Sequence, residues 1–99
     1  MIAGWDSEHG PVLFHTDPSG TFVNYKAKAI GSGSEGAQTA LQEAYRGDMT
    51  LKDAEVLALS TLKQVMEEKV KATNVDIARI APKWHLYSVE EVEEVISRL

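Results

Sequence analysis

Three histidines, His9, His15 and His85, are the side chains best suited to acid–base or metal chemistry, and each falls in a different stretch of the chain. None has the i, i+4 helical spacing at which two imidazoles meet one zinc ion, so they read as structural or solvated histidines. Ser34, His15 and Asp17 supply a nucleophile, a base and an orienting acid by type. A triad is made by geometry, however, and the G-x-S-x-G elbow is absent. Gly31-x-Gly33-x-x-Gly36 has the spacing of a dinucleotide-binding loop, a chemistry that needs a second parallel strand after the helix to hold the ribose. The next element reads instead as another helix, beginning near Thr50. Glu90, Glu91, Glu93 and Glu94 could pair as carboxylates, but on one helix face they read as solvated charge. Trp5 and Trp84 read as core or interface aromatics. The expectation is no catalytic, cofactor-binding or metal-binding residue.

The elements that position these residues turn on Asp17 to Ala37. Asp17-Pro18-Ser19-Gly20 fits a type I turn position by position. Thr21 to Ile30 is rich in β-branched and aromatic residues and reads as extended chain, with Asn24, Lys26 and Lys28 on its wetter side. Gly31-Ser32-Gly33 ends it, and Ser32 with Glu35 predicts a capping box. Strands are expected over about residues 2–6, 11–16, 21–25, 26–30, 75–80 and 84–87, and helices over about 33–46, 51–70 and 89–98. Ala37, Ala40, Leu41, Ala44 and Tyr45 form one apolar stripe. Ala54, Leu57, Ala58, Thr61, Leu62, Val65 and Met66 form a longer one, widened by Leu51, Val56 and Leu59, which predicts a helix covered on more than one side. Gly47 supplies a stop between these helices. Thr50 with Asp53 and Ser88 with Glu91 predict two more capping boxes.

A chain of 99 residues allows one domain, and 43% hydrophobic with 25% charged residues is ordinary globular composition. No stretch approaches a membrane span, and the opening residues lack the basic and apolar runs of a signal peptide, so an intracellular protein is expected. The absence of cysteine excludes disulfides and thiolate chemistry. A net charge of −5 without a basic cluster argues for protein partners over nucleic acid or anionic membrane.

The words of the sequence go further than its periodicity. DPSGTFVNYKAKAIGSGSEGA resembles the proteasome alpha-type subunits, in which a D-P-S-G turn precedes a strand, K-A-x-A-I-G and a small-residue helix start. The resemblance continues through LQEAY at Leu41 to Tyr45, LKQVMEEKV at Leu62 to Val70, ATNVDIA at Ala72 to Ala78 and E-E-V-x-x-V-I at Glu90 to Ile96. LKQVMEEKV is its most discriminating segment.

That resemblance implies an α+β chain, the C-terminal half of the N-terminal nucleophile hydrolase fold, an αββα sandwich of antiparallel sheets with helices on the outer faces. It implies a single truncated domain over residues 1–99, without the half that carries the gate-forming segment. The implied role is a non-catalytic subunit of a threonine-endopeptidase complex in the cytoplasm and nucleus. Within a hetero-oligomeric ring beside alpha-type and beta-type neighbours, it would serve ubiquitin-dependent protein degradation through ring assembly and substrate-entry architecture. Two departures set it apart from the catalytic beta-type relatives: Met1 stands where they have threonine, and Lys69 to Asn74 replaces their D-x-x-S-G motif. The alternatives are a stand-alone product acting as a partner-binding decoy, or an independent hydrolase.

Overall fold

The computed structural model describes every residue from Met1 to Leu99. Three antiparallel strands come first: β1 (Ile2–Asp6), β2 (Gly10–Thr16) and β3 (Phe22–Asn24), ordered β1-β2-β3, with Gly4 opposite Val12 and His15 opposite Val23. The Asp17 turn forms as its residues require. Gly20 N–H donates to Asp17 C=O at 3.0 Å, and the Asp17 carboxylate accepts from Ser19 N–H at 2.9 Å and from the Ser19 hydroxyl.

Helix α1 (Ser34–Ala44) and helix α2 (Leu51–Val65) pack against each other. A two-stranded antiparallel ribbon, β4 (Ala78–Arg79) and β5 (His85–Leu86), then leads into α3 (Val89–Ser97), which packs on α2. The ladder runs one step beyond β5, with Tyr87 N–H donating to Ile77 C=O at 2.9 Å. Antiparallel sheets with three helices place the chain in the expected α+β class. No helix is long and apolar enough to cross a membrane.

The core lies on one side of α2. Leu59, Val70, Val75, Tyr87, Val92 and Val95 form it, with Met66, Ile77 and Ile96 packed against it. Leu59 and Val95 are the most deeply buried, each 1% exposed. Both predicted capping boxes that flank this core are present: Thr50 Oγ1 accepts from Asp53 N–H at 3.2 Å, and Ser88 Oγ accepts from Glu91 N–H at 3.2 Å.

Several boundaries differ from expectation, each for a local reason. Residues 26–30 are not a strand; their inner edge is occupied by a side chain of α1, described below. β3 is shorter than 21–25, and the 75–80 and 84–87 strands shrink to two residues each. The capping box of Ser32 and Glu35 does not form, because the N-cap is Gly33, one residue later. That shift puts Glu35 at the second helical position rather than the third, out of reach of the reciprocal bond. Gly33 takes φ 76°, and Ser34 N–H closes a turn onto Gly31 C=O at 3.2 Å. The first helix ends at Ala44, before residue 46. The second ends at Val65 rather than residue 70: Asn74 accepts from Lys71 N–H at 2.9 Å and donates to Lys69 C=O at 3.0 Å. Those are two backbone groups that a continued helix would have paired internally.

Candidate functional site

The other side of α2 is open. Ala54, Ala58 and Leu62, one i, i+4, i+8 row of the predicted stripe, are exposed there, and Leu57 and Val65 are half-buried beside them. They form the floor of a groove of about 590 Å³, with Ala37 and Leu41 of α1 and Tyr45 just past its end along one wall and residues 26–30 along another. Met1 and Pro11 reach its edge from the three-stranded sheet. The expectation that α2 is covered on more than one side is therefore met in part: α1 and α3 both pack on it, Val70, Val75 and Tyr87 close the core beside Leu59, and the groove leaves a strip of the helix bare.

The extent of bare surface is unusual. Eight of the 99 residues are buried, and the accessible surface is 7224 Å². A compact monomer of 10.9 kDa exposes about 5,600 Å². The excess, roughly 1,600 Å², is about twice what one partner contributes to a standard protein–protein interface. Exposed large apolar residues are scattered over the sheet as well, including Ile2, Trp5, Phe22 and Val23.

One wall of the groove is held by a contact that no local pattern in the sequence announces. The Gln38 side-chain amide accepts from Ala29 N–H at 2.8 Å and donates to Ala27 C=O at 3.2 Å. A single amide thus pairs with the chain as a neighbouring strand would, and residues 27–29 are fixed against α1 without belonging to a sheet. The Lys28 ammonium lies 4.7 Å from the centre of the Tyr25 ring, at cation–π distance, while Lys26 is exposed.

The far end of α2 carries a polar clasp. Arg98 Nη2 donates to Glu55 Oε1 at 3.0 Å, and the Tyr87 hydroxyl donates to Glu55 Oε2. The Glu55 side chain is 10% exposed and that of Arg98 29%. Burial, and then the adjacent Glu55 carboxylate, push the Tyr87 phenol above its ordinary range. At the opposite end of α3, His85 Nε2 lies 2.9 Å from Glu91 Oε1, and the same carboxylate accepts from Ser88 N–H at 2.9 Å. The Ser88 N–H first, and His85 second, hold Glu91 below the usual carboxylate range.

The residues that could have done chemistry are not brought together. Asp17 spends its carboxylate on Ser19 and Thr21 rather than on a hydrogen bond to His15, and its pKa is lowered chiefly by the Ser19 hydroxyl. Ser34 opens α1 at the groove edge and has no side-chain hydrogen bond to a base. His9 caps its own turn through Asp6 at 3.2 Å. No group of three or more His, Asp or Glu side chains is placed to hold a metal ion. Gly31 and Gly33 take φ 97° and 76°, and Gly36 lies against Val65, so the glycine spacing is used to turn the chain and seat α1 on α2. Trp84 stands exposed just before β5, whereas His85 meets Glu91 and Tyr87 reaches the Glu55 clasp.

Comparison with known proteins gives this arrangement a context. Residues 1–80 match the family model described as "Proteasome subunit". The chain is 50% identical over 100 residues to the probable proteasome subunit alpha type-5 of Schizosaccharomyces pombe, covering 99% of this chain and 40% of that protein. It is 53% identical over 102 residues to proteasome subunit alpha type-5 of Dictyostelium discoideum, covering all of this chain and 42% of that one. For the alpha type-5 subunit of Trypanosoma brucei brucei the identity is 47%, over 99% of this chain and 41% of the relative. The chain therefore spans about two fifths of the length of the relatives it matches.

Proposed function

Because this chain belongs to the proteasome subunit family, we propose that it is a non-catalytic structural part of a proteasome alpha ring, with the groove beside α2 as one of its assembly surfaces. The observation that carries this reading is the pairing of two facts. Identity to alpha type-5 subunits near one half extends over the whole chain, and the chain leaves bare an apolar groove together with about an interface's worth of surplus surface. Support for a non-catalytic role is chemical: Ser34 has no base, and His15 and Asp17 are not joined to it. Its partners in this reading are the neighbouring alpha-type and beta-type subunits, in the cytoplasm and nucleus, and its contribution to ubiquitin-dependent degradation is architectural.

The test is incorporation. The tagged chain, expressed in cells, is expected to sediment with proteasome particles, and Leu62→Asp is expected to abolish that. Leu62 is 38% exposed on the groove floor, so the melting temperature of the isolated variant should move little. Equal incorporation of the variant, or a wild-type chain found only as a small free species, would overturn the reading.

A further inference from the structure

Arg79 is the one arginine of the chain without an acidic partner. Arg46 Nε lies 3.7 Å from Asp48 and Arg98 Nη2 lies 3.0 Å from Glu55, whereas the half-buried Arg79 guanidinium makes no ion pair. The polar group beside it is the neutral Tyr87 hydroxyl, whose own proton goes to Glu55, and its Nε is sealed from solvent with no acceptor. Arginine stays charged throughout the physiological pH range, so it cannot shed its proton as a buried lysine can, and a half-buried cation left without an anion costs free energy. Arg79 lines a pocket of about 190 Å³ bounded by the start of α2, the ribbon and α3, which shares no lining residue with the groove. The acids around it do not serve Arg79: Glu55 holds Arg98 and Tyr87, Glu91 holds His85 and the Ser88 N–H, and Glu94 stands exposed without an ion pair. Lys52, Arg79 and Arg98 balance Glu55, Glu91 and Glu94, so the walls are neutral overall, and Leu51 and Val95 give them an apolar side.

We propose that this pocket binds a single carboxylate carried on a short apolar stem, gripped by the Arg79 guanidinium. A planar carboxylate takes two parallel N–H bonds from a guanidinium fork, which gives the contact direction as well as strength. Neutral walls leave room for one negative charge, whereas Glu91 and Glu94 would repel the second charge of a phosphate. The volume lies below the range of about 300–1,000 Å³ typical of drug-sized ligands, which limits the stem to a few carbons. That stem would lie against Leu51 and Val95. Two sources present this chemistry: a free short-chain acid, and a glutamate side chain of a bound polypeptide. The inference stands apart from the alpha-ring reading, because every wall of the pocket comes from this chain and none from the groove.

The experiment titrates the full chain, with labelled leucine and valine methyl groups, against sodium butyrate and against glutamate blocked at both ends as its N-acetyl amide. The Leu51 and Val95 methyl resonances read occupancy. Saturable shifts with a Kd of about 1–10 mM are expected, the range open to so small a ligand. Butyramide, which lacks the charge, and inorganic phosphate, which carries too much, should each bind at least about tenfold more weakly. Arg79→Lys keeps the charge and loses the fork, and should weaken butyrate about fivefold or more. Arg79→Met should abolish the shifts and, by removing a cation without a partner, melt no lower than wild type in the absence of ligand. Tighter binding by butyrate points to a free acid and tighter binding by the blocked glutamate to a polypeptide, and either upholds the carboxylate site. No saturable shift from either ligand overturns it. So does binding of phosphate or butyramide as tight as that of butyrate, or equal binding by wild type and Arg79→Lys. A clear drop in the melting temperature of Arg79→Met would show that Arg79 is already satisfied within the chain, and would also overturn the proposal.

Discussion

Gln38 reaches out of α1 to Ala29, accepting its N–H at 2.8 Å, and the same amide donates to Ala27 at 3.2 Å, so one side chain replaces two rungs of a ladder. Gln38→Ala should therefore free residues 27–29. The expected loss is about 1–2 kcal/mol, since two half-buried backbone groups lose their partners. Chemical denaturation measures it, and the Ala29 amide should exchange faster than those of α2. A variant as stable as wild type would mean that water replaces the contact fully.

Gly33 faces two separate constraints. Its φ of 76° is one that side chains rarely adopt, and an added Cβ would lie 3.2 Å from Val65 Cβ. Gly33→Val is expected to cost about 2–4 kcal/mol from backbone strain and crowding together. Pairing it with Val65→Ala should recover only part of the loss, because the second change relieves the crowding and leaves the backbone strain. Complete recovery in a double-mutant cycle would show that contact alone matters.

Glu91 makes the attachment of α3 sensitive to acid. Its pKa is lowered in the folded chain by Ser88 N–H and His85. A lowered folded pKa gives stability that is present above the unfolded value, about 4.3, and is lost as pH falls through the folded one. Melting curves between pH 6 and pH 3 should fall more steeply for wild type than for Glu91→Gln. Parallel curves would remove Glu91 from the account of acid sensitivity.

Glu55 joins three elements, accepting from Tyr87 after β5 and from Arg98 after α3 while sitting on α2. Glu55→Ala leaves a buried phenol and a partly buried guanidinium without their acceptor. The expected cost is about 2–3 kcal/mol, below the range for a fully buried pair because the Arg98 side chain remains 29% exposed. Glu55→Gln keeps an acceptor for Tyr87 and should lose less. Equal losses in the two variants would locate the effect in charge rather than in hydrogen bonding.

The sequence was most legible where the determinants are local. The Asp17 turn and the Thr50 and Ser88 capping boxes each depend on residues within four positions of one another, and all three form. The Ser32 box failed over a single residue of register, decided by the left-handed backbone at Gly33 and its closeness to Val65. The strand at 26–30 failed because its composition suits extended chain, but its inner edge was claimed by Gln38 from nine residues away. Glu55 with Tyr87, separated by 32 positions, lay beyond any periodic pattern. The groove was foreshadowed only by the breadth of the apolar stripe on α2.

That breadth has a thermodynamic reach. The same helix that carries Leu59 into the core also forms the groove floor through Leu62. Whatever occupies the groove binds the folded chain and not the unfolded one, and so adds RT ln(1 + [L]/Kd) to its stability, about 2.7 kcal/mol at a hundredfold excess over Kd. The folded population then rises and falls with the supply of its occupant. In the alpha-ring reading proposed above, copies without an occupant, held by a small core alone, would spend more time open to proteases, and turnover would correct stoichiometry without a dedicated sensor.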